Sequence, residues 1–263
     1  MDQKKKVKTR VLFQTEIAED IYDMWIETDL AATARPGQFI CVYPHNESTL
    51  LPRPISICEA DREEGRLRIV YRTAGKGTRE FSAYHAGKSI SILGNLGNGF
   101  PLEAAEKKRV FLLGGGIGIP PLLELARRLK EEGRAESVTA ILGYRDGRLF
   151  LKEELERHAA VYVATEDGSE GIRGNVMDAI AANQLQADVI MACGPMPMLR
   201  AVKGYARDNG AEAYLSLEER MACGVGACLG CVCKTKEKDA HSHVNNARVC
   251  TDGPVFRAED VDI

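Results

Sequence analysis

The run Cys223-Gly-Val-Gly-Ala-Cys228-Leu-Gly-Cys231 constrains this chain more than any other feature. It is C-x4-C-x2-C, and Cys250 follows after 18 further residues. This is the plant-type spacing for a [2Fe–2S] cluster, in which a tight loop supplies three thiolates and a later segment the fourth. Gly224, Gly226 and Gly230 suit such a loop, because a chain wrapped round a cluster needs unusual dihedrals and brings its N–H groups close to the sulfurs. The competing ligand is zinc, held by Cys228, Cys231 and two of Cys233, Cys250, His241 and His243. Zinc loops pair C-x2-C with a second close pair, and His241-Ser-His243 makes a poor one. Cys233 is a surplus thiol, either a bystander or a substitute if Cys250 does not close the site. His241 and His243 read as solvated loop residues.

Five of the eight cysteines fall in the last 41 of 263 residues. A disulfide framework would be spread through a small secreted domain, so the crowding reads as a metal or cluster site in a reducing compartment. Charged residues at 28% and hydrophobic ones at 44% are a globular mix, and a net charge of −3 weighs against nucleic-acid or anionic-membrane binding. Met1 to Arg10 is charged, but Val11-Leu12-Phe13 gives way at once to Gln14-Thr15-Glu16, so no signal sequence is read. Val110 to Leu123 is too short and too broken by glycine and proline to span a bilayer. A soluble, cytoplasmic protein is expected.

From about residue 5 to 100 the pattern is of short strands: Val7–Phe13, Ile21–Thr28, Gln38–Val42, Leu67–Tyr71 and Ser89–Leu93, punctuated by turns such as Arg35-Pro36-Gly37. That predicts a barrel or a sandwich. From about 107 strands alternate with helices. Val110–Leu113, Ser137–Tyr144, Val161–Thr165 and Asp188–Cys193 read as strands, and Pro120–Glu132, Leu151–Ala159, Asn175–Ala182 and Met196–Asn209 as helices. Such alternation predicts a parallel α/β sheet. The last 45 or so residues lose it.

Two segments of the first half carry phosphate-binding chemistry. Arg53-Pro54-Ile55-Ser56 follows a strand region, and Val70-Tyr71-Arg72-Thr73-Ala74-Gly75-Lys76-Gly77-Thr78 ends another and enters a short helix. A helix N-terminus offers N–H groups to a pyrophosphate, and Arg53 and Arg72 add charge-assisted bonds. Tyr71 is placed to stack on a ring system and Ser56 to hydrogen-bond it; the plain alternative is a strand-turn-helix with surface arginines. In the second half, Gly114-Gly115-Gly116-Ile117-Gly118 links a strand to a helix, where a dinucleotide would approach the backbone, although the ordinary G-x-G-x-x-G fingerprint is absent. Cys193-Gly194-Pro195 ends another strand at the ligand-binding edge of the sheet, with Cys193 either lining a nicotinamide pocket or simply buried. Glu166-Asp167 would favour ribose hydroxyls and repel a 2′-phosphate, which leans toward NAD over NADP.

With these residues in place, the chain resembles the electron-transfer subunit of class B dihydroorotate dehydrogenase, within the ferredoxin reductase group. The likeness runs nearly end to end and includes Leu96-Gly97-Asn98-Gly99-Phe100, Met221-Ala222-Cys223 and Cys250-Thr-Asp-Gly-Pro-Val-Phe256. It implies a multi-domain β plus α/β protein. An antiparallel FAD-binding barrel would occupy 1–103, a parallel-sheet NAD-binding α/β domain 104–215 and a small [2Fe–2S] domain 216–263. It implies FAD on Arg53, Pro54, Ile55, Ser56, Val70, Tyr71, Arg72, Gly77 and Thr78, and the cluster on Cys223, Cys228, Cys231 and Cys250. NAD is expected on Gly114, Gly115, Gly116, Gly118, Cys193 and Gly194. Three departures stand out: Ile55 where broader reductases often have an aromatic residue, Asn95 where a proline is expected, and the extra Cys233.

A nicotinamide exchanges a hydride, a [2Fe–2S] cluster one electron at a time, and flavin does both, so it belongs between them. The resemblance implies a donor subunit bearing FMN that oxidises dihydroorotate, in a heterotetramer of two plus two. A substrate-oxidising TIM barrel takes about 250 residues, so this chain is expected to lack the dihydroorotate site. The rival readings are a flavin/iron–sulfur subunit of a ferredoxin:NADP oxidoreductase or hydrogenase, and a zinc-bearing, non-redox interaction module.

Overall fold

The computed structural model describes residues 5–46, 48–238 and 243–263, so His241, weighed above as a zinc ligand, lies outside the described residues. Strands β1 (Lys6–Ala18), β2 (Ile21–Glu27), β3 (Phe39–Tyr43), β4 (Arg53–Asp61), β5 (Arg66–Arg72) and β6 (Ser89–Leu96) close into a barrel in the order β1-β2-β5-β4-β3-β6. Every pairing is antiparallel, and closure leaves no open edge. Alternate residues point inward, so Met24, Ile26, Ile40, Val42, Ile57, Leu67, Ile69, Ile90 and Ile92 fill the interior. Sequence pattern allowed a sandwich here and missed β4 altogether. Pro54 conceals that strand: it stands one residue from the strand's start, where a missing N–H is tolerated, and pairs with Cys41. Helix α1 (Lys76–Ser82) links β5 to β6.

The second half is built on β7 (Arg109–Gly115), α2 (Pro120–Glu131), β8 (Ser137–Tyr144), α3 (Lys152–Glu156), β9 (Ala160–Thr165), β10 (Ile172–Arg173), α4 (Val176–Ala182), β11 (Val189–Cys193), α5 (Met196–Asn209) and β12 (Glu212–Ser216). These strands pair in parallel in the order β10-β9-β8-β7-β11-β12. Helix α3 is shorter than the Leu151–Ala159 expected from sequence. Leu151 is buried in a left-handed conformation (φ 63°) ahead of the helix, and Ala160 already belongs to β9. The tail adds β13 (Val232–Lys234) and β14 (Asn246–Arg248) as a small pair, then β15 (Val255–Arg257), which joins β12 antiparallel and extends the α/β sheet. Among the described residues no helix is long and apolar enough to cross a membrane.

Two polar clusters tie the barrel to the α/β sheet. Arg68 of β5 is buried and grips Asp23 of β2 (Nη2–Oδ2 2.8 Å), then reaches Glu154 of α3 (Nη2–Oε1 3.0 Å). Glu124 of α2, 1% exposed, accepts from the Ala60 amide (3.3 Å), both terminal nitrogens of Arg62 (3.2 Å) and Nη2 of Arg127 (2.6 Å). A carboxylate so enclosed is sustained by its donors, and removing it strands them. Replacing Glu124 with leucine should lower the free energy of unfolding by about 2–4 kcal/mol, with glutamine losing less. Urea unfolding of the two variants beside the parent checks this, and a leucine variant as stable as the parent contradicts it.

Candidate functional site

A cavity of about 290 Å³ opens on the barrel, walled by Arg53, Pro54, Ile55, Ser56, Val70, Tyr71, Arg72 and Thr78. Strands β4 and β5 therefore bring the two sequence segments together. Gly77 stands just behind, and a Cβ there would lie 2.7 Å from Nε of Arg53, so the missing side chain lets the guanidinium drape over the start of α1. Thr78 Oγ1 accepts from the amides of Ala74 (2.9 Å) and Gly75 (3.1 Å) and so shapes that turn. Tyr71, expected to stack on a ring system, is held by neighbours of its own. Its ring lies against Tyr22 (5.8 Å between centroids), meets Phe81 edge-on, and gives its hydroxyl to Gln14 Oε1 (2.8 Å). At 2% exposed it contributes to the cavity wall with little free surface. The opposite wall comes from beyond the barrel: Ile117, Ser216, Leu217, Glu218, Glu219, Met221 and Pro254.

A second cavity, about 360 Å³, lies at the C-terminal edge of the parallel sheet, where open α/β sheets bind ligands. Gly115, Gly116, Gly118 and Gly194 line it. Gly118 is obligatory, since a Cβ there would sit 2.3 Å from the carbonyl oxygen of Cys193. Gly114 does not line the cavity; it packs against Ile119 and Leu122 of the following turn and helix. Cys193 is also behind the wall, 2% exposed, and burial together with the nearby Glu218 charge pushes its thiol up to about 12 against a Ser216 hydrogen bond. Glu166 faces the space as expected, but Arg145 shares the wall and offsets the acidic character read from sequence. Asp167 instead turns to the Ser169 hydroxyl (2.6 Å) and amide (2.9 Å).

The two cavities share Arg72, Ile117 and Glu218. Sequence reading missed Glu218. Its signal was available: an acidic residue just past β12, on the same edge of the sheet as Gly115 and Gly194. The side chain is open to the cavity yet ringed by protein, so desolvation raises its carboxyl above the usual range, and Arg72 opposes that rise.

The thiol loop sits against the outside of the barrel. Gly224 has φ +70° and a Cβ there would lie 3.0 Å from Sγ of Cys41 and 3.3 Å from Leu96, so only glycine permits both the turn and the approach. Backbone amides aim at the sulfurs: Val225 to Cys223 (3.4 Å), Gly230 to Cys228 (3.4 Å) and Gly226 to Cys250 (3.2 Å). Among the described residues no three His, Cys, Asp or Glu side chains converge as a single-ion shell. The Cys228 thiol hydrogen-bonds Cys223 and the Cys231 thiol hydrogen-bonds Cys250, with Cys223 also close enough to act on Cys250. Two thiols for each of two irons is the ligand set of a [2Fe–2S] cluster, and N–H donation to the sulfurs is the usual support. Burial works against ionisation at Cys223, but N–H donation from Val225, Cys228 and Ala227 with the Cys228 thiol outweighs it and brings this thiol down to about 7. At Cys250 burial dominates, the bond to Cys231 adds to it, and the thiol is pushed up to about 12. Cys233 is buried on β13, its thiol raised to about 11 by burial, and Cys41 and Cys58 are fully buried.

Comparison with known proteins adds a family to this geometry. Residues 218–262 match the iron–sulfur cluster binding domain of dihydroorotate dehydrogenase B, and residues 112–204 an oxidoreductase NAD-binding domain. A protein of Shouchella clausii (strain KSM-K16) named dihydroorotate dehydrogenase B (NAD+), electron transfer subunit, is 42% identical over 262 residues, 98% of each chain. One of the same name from Bacillus caldolyticus is 45% identical over 255 residues, 95% of this chain and 96% of that one. The chain belongs to the family of dihydroorotate dehydrogenase B electron-transfer subunits. Among solved structures, an NADH-dependent reduced ferredoxin-NADP oxidoreductase superposes with a TM-score of 0.85 at 32% identity, over 97% of this chain and 89% of that one. A ferredoxin NADP+ reductase from Neisseria gonorrhoeae, at 18% identity and TM-score 0.68 over 78% of this chain and 92% of that one, shares the fold.

The thiol environments predict an order of reactivity. In metal-free protein, Cys223 is a thiolate above about pH 7 and protonated below it, whereas Cys250 stays protonated through neutrality. Iodoacetamide should therefore label Cys223 ahead of Cys250, with a rate that rises through neutral pH. Peptide mass spectrometry of timed samples checks this; equal labelling of the two sites contradicts it.

Proposed function

We propose that the chain carries electrons from an FMN-bearing, dihydroorotate-oxidising partner through a [2Fe–2S] cluster and FAD to NAD+. The adjacency of the three sites supports this reading most. Met221 and Pro254 wall the barrel cavity and lie two and four residues from Cys223 and Cys250. The same cavity shares Arg72, Ile117 and Glu218 with the cavity on the parallel sheet. Flavin supplies the exchange between one-electron and hydride chemistry that such a sequence of sites requires.

The chain's own residues hold and orient the reactants. Arg53 and Arg72 carry the positive charge for a pyrophosphate, with Ser56 able to hydrogen-bond the ring system. Gly115, Gly116, Gly118 and Gly194 let the dinucleotide meet bare backbone. Cys223, Cys228, Cys231 and Cys250 hold the cluster. Arg72 and Glu218 place opposite charges where the two cavities meet. On the outer side, Cys228, Val225 and Leu229 are exposed, with Leu229 at 59%. An apolar rim round the outermost thiol suits a docked partner, in which the dihydroorotate site would reside. The 42–45% identity to dihydroorotate dehydrogenase B subunits favours that partner over a ferredoxin-linked one, where the likeness is 32%. A cytoplasmic location fits free thiols and a thiol-ligated cluster.

The test is affinity purification of the tagged chain from its native extract, followed by assay. The complex should be coloured, contain FAD, iron and FMN, and convert dihydroorotate and NAD+ to orotate, NADH and a proton. The isolated chain should oxidise NADH with ferricyanide but leave dihydroorotate untouched. Leu229→Asp should weaken the complex at least about tenfold, roughly 1.4 kcal/mol. A colourless, zinc-bearing chain sinks the redox reading, and a hydrogenase or ferredoxin-linked partner sinks the dihydroorotate assignment.

A further inference from the structure

Asn98 lies in the barrel turn Leu96-Gly97-Asn98-Gly99-Phe100, and its hydrogen bonds cross to the segment that follows Cys250. Its amide donates to the Gly253 carbonyl (2.7 Å). Its side-chain Nδ2 donates to the carbonyls of Asp252 (3.1 Å) and Val255 (2.7 Å), and Oδ1 accepts from the Val255 amide (3.2 Å). One side chain thus engages backbone on both its donor and acceptor sides. The turn is itself fixed to the barrel, since buried Gln38 donates to the Gly97 carbonyl (2.8 Å) and the Phe100 amide donates to Pro36 (2.8 Å). Contact is close: a Cβ on Gly97 would lie 2.4 Å from Cδ of Pro254.

The segment so held has two functional ends. Cys250 precedes Asp252 by two residues, and the 248–253 turn between them is pinned by amides of Thr251 (3.1 Å) and Asp252 (2.8 Å) donating to the Arg248 carbonyl. Pro254 walls the barrel cavity, and its carbonyl accepts from Leu217 (2.8 Å), another wall residue. Displacing Asp252 and its neighbours therefore shifts Cys250 relative to a cavity wall that Leu217 holds at Pro254.

We propose that Asn98 is a positioning residue that fixes Cys250 relative to the barrel cavity and thereby sets the rate of one-electron passage between cluster and flavin. This rests on the electron-transfer reading above. The rate of electron passage between two fixed centres falls with their separation, so a shift of Cys250 away from the cavity slows that step and leaves hydride transfer untouched. Asn98 is exposed on its outer side, so truncating it opens no core cavity.

The experiment uses the full chain loaded with FAD and cluster, mixed anaerobically with NADH. NADH gives up a hydride and leaves as NAD+, placing two electrons on the flavin, and the cluster accepts one of them. Flavin bleaching and the paramagnetic signal of the reduced cluster, trapped by rapid freezing, report the two steps separately. Asn98→Leu removes both donors and the acceptor, and Asn98→Asp leaves an acceptor facing two carbonyls. Both should bleach flavin at close to the parent rate yet reduce the cluster several-fold more slowly. If either variant fails to retain its cluster, Asn98→Ser is read by the same traces, with a smaller slowing of the second step alone. Unchanged cluster reduction overturns the assignment, as does equal slowing of both steps, which marks a merely structural role. A parent protein that takes up neither FAD nor cluster refutes the electron-transfer reading itself.

Discussion

The hydrogen bond from the Gly226 amide to the Cys250 sulfur joins two segments 24 residues apart in sequence, and much of the architecture converges on it. Gly226 belongs to a loop with no regular structure of its own, held by its seat on the barrel. Gly224 presses against Cys41 and Leu96, while Cys231, Cys250 and Val249 bury themselves in a core shared with Phe39, Leu93 and α5. Strand β15 then takes the same chain into the α/β sheet. The thiol segment is therefore no appendage; it is wedged between the other two units and contacts both.

That wedge has meaning only if the barrel and the sheet keep a fixed relation. Apolar packing alone is non-directional, whereas the clusters at Arg68 and Glu124 are directional. Arg68 aims one fork at Asp23 and another at Glu154, and Glu124 collects donors from both units. Buried charges of this kind add little net stability compared with apolar packing, yet they are poorly tolerant of displacement. They hold the junction at Arg72, Ile117 and Glu218, where the two cavities meet.

Much of this was legible in the sequence because the relevant signals are local. Cysteine spacing, glycines between a strand and a helix, and the change from strand-rich to alternating texture each need only a short window. What was not legible depends on long-range packing. Pro54 disguised β4 because its tolerance depends on the register of that strand with β3. Tyr71 looked available for stacking until Tyr22 and Phe81, from other elements, occupied its surroundings. Gly114 stood at the correct sheet edge, but its side-chain position points toward Ile119 and Leu122, where the next turn and helix pack, and of the two alternatives read for Cys193 it is the buried one that its 2% exposure matches. Glu218 was passed over because nothing near it in sequence links it to Arg72.

The loop also imposes a direction. Cys228 is exposed and Cys223 half-buried, whereas Cys231 and Cys250 are buried against the barrel side. A cluster held by these pairs would have one iron toward the surface and one toward the interior, in unlike surroundings. Solvent exposure and hydrogen bonds to sulfur both tune such centres. The amide donors are divided as well: Val225 and Gly230 serve the outer pair, and Gly226 serves Cys250. An asymmetric site of this kind presents its outer edge, rimmed by Val225 and Leu229, to whatever docks there, and its inner edge to the cavity bounded by Pro254 and Met221. Position in the fold, more than any one side chain, sets the four thiols between an exposed rim and the barrel cavity.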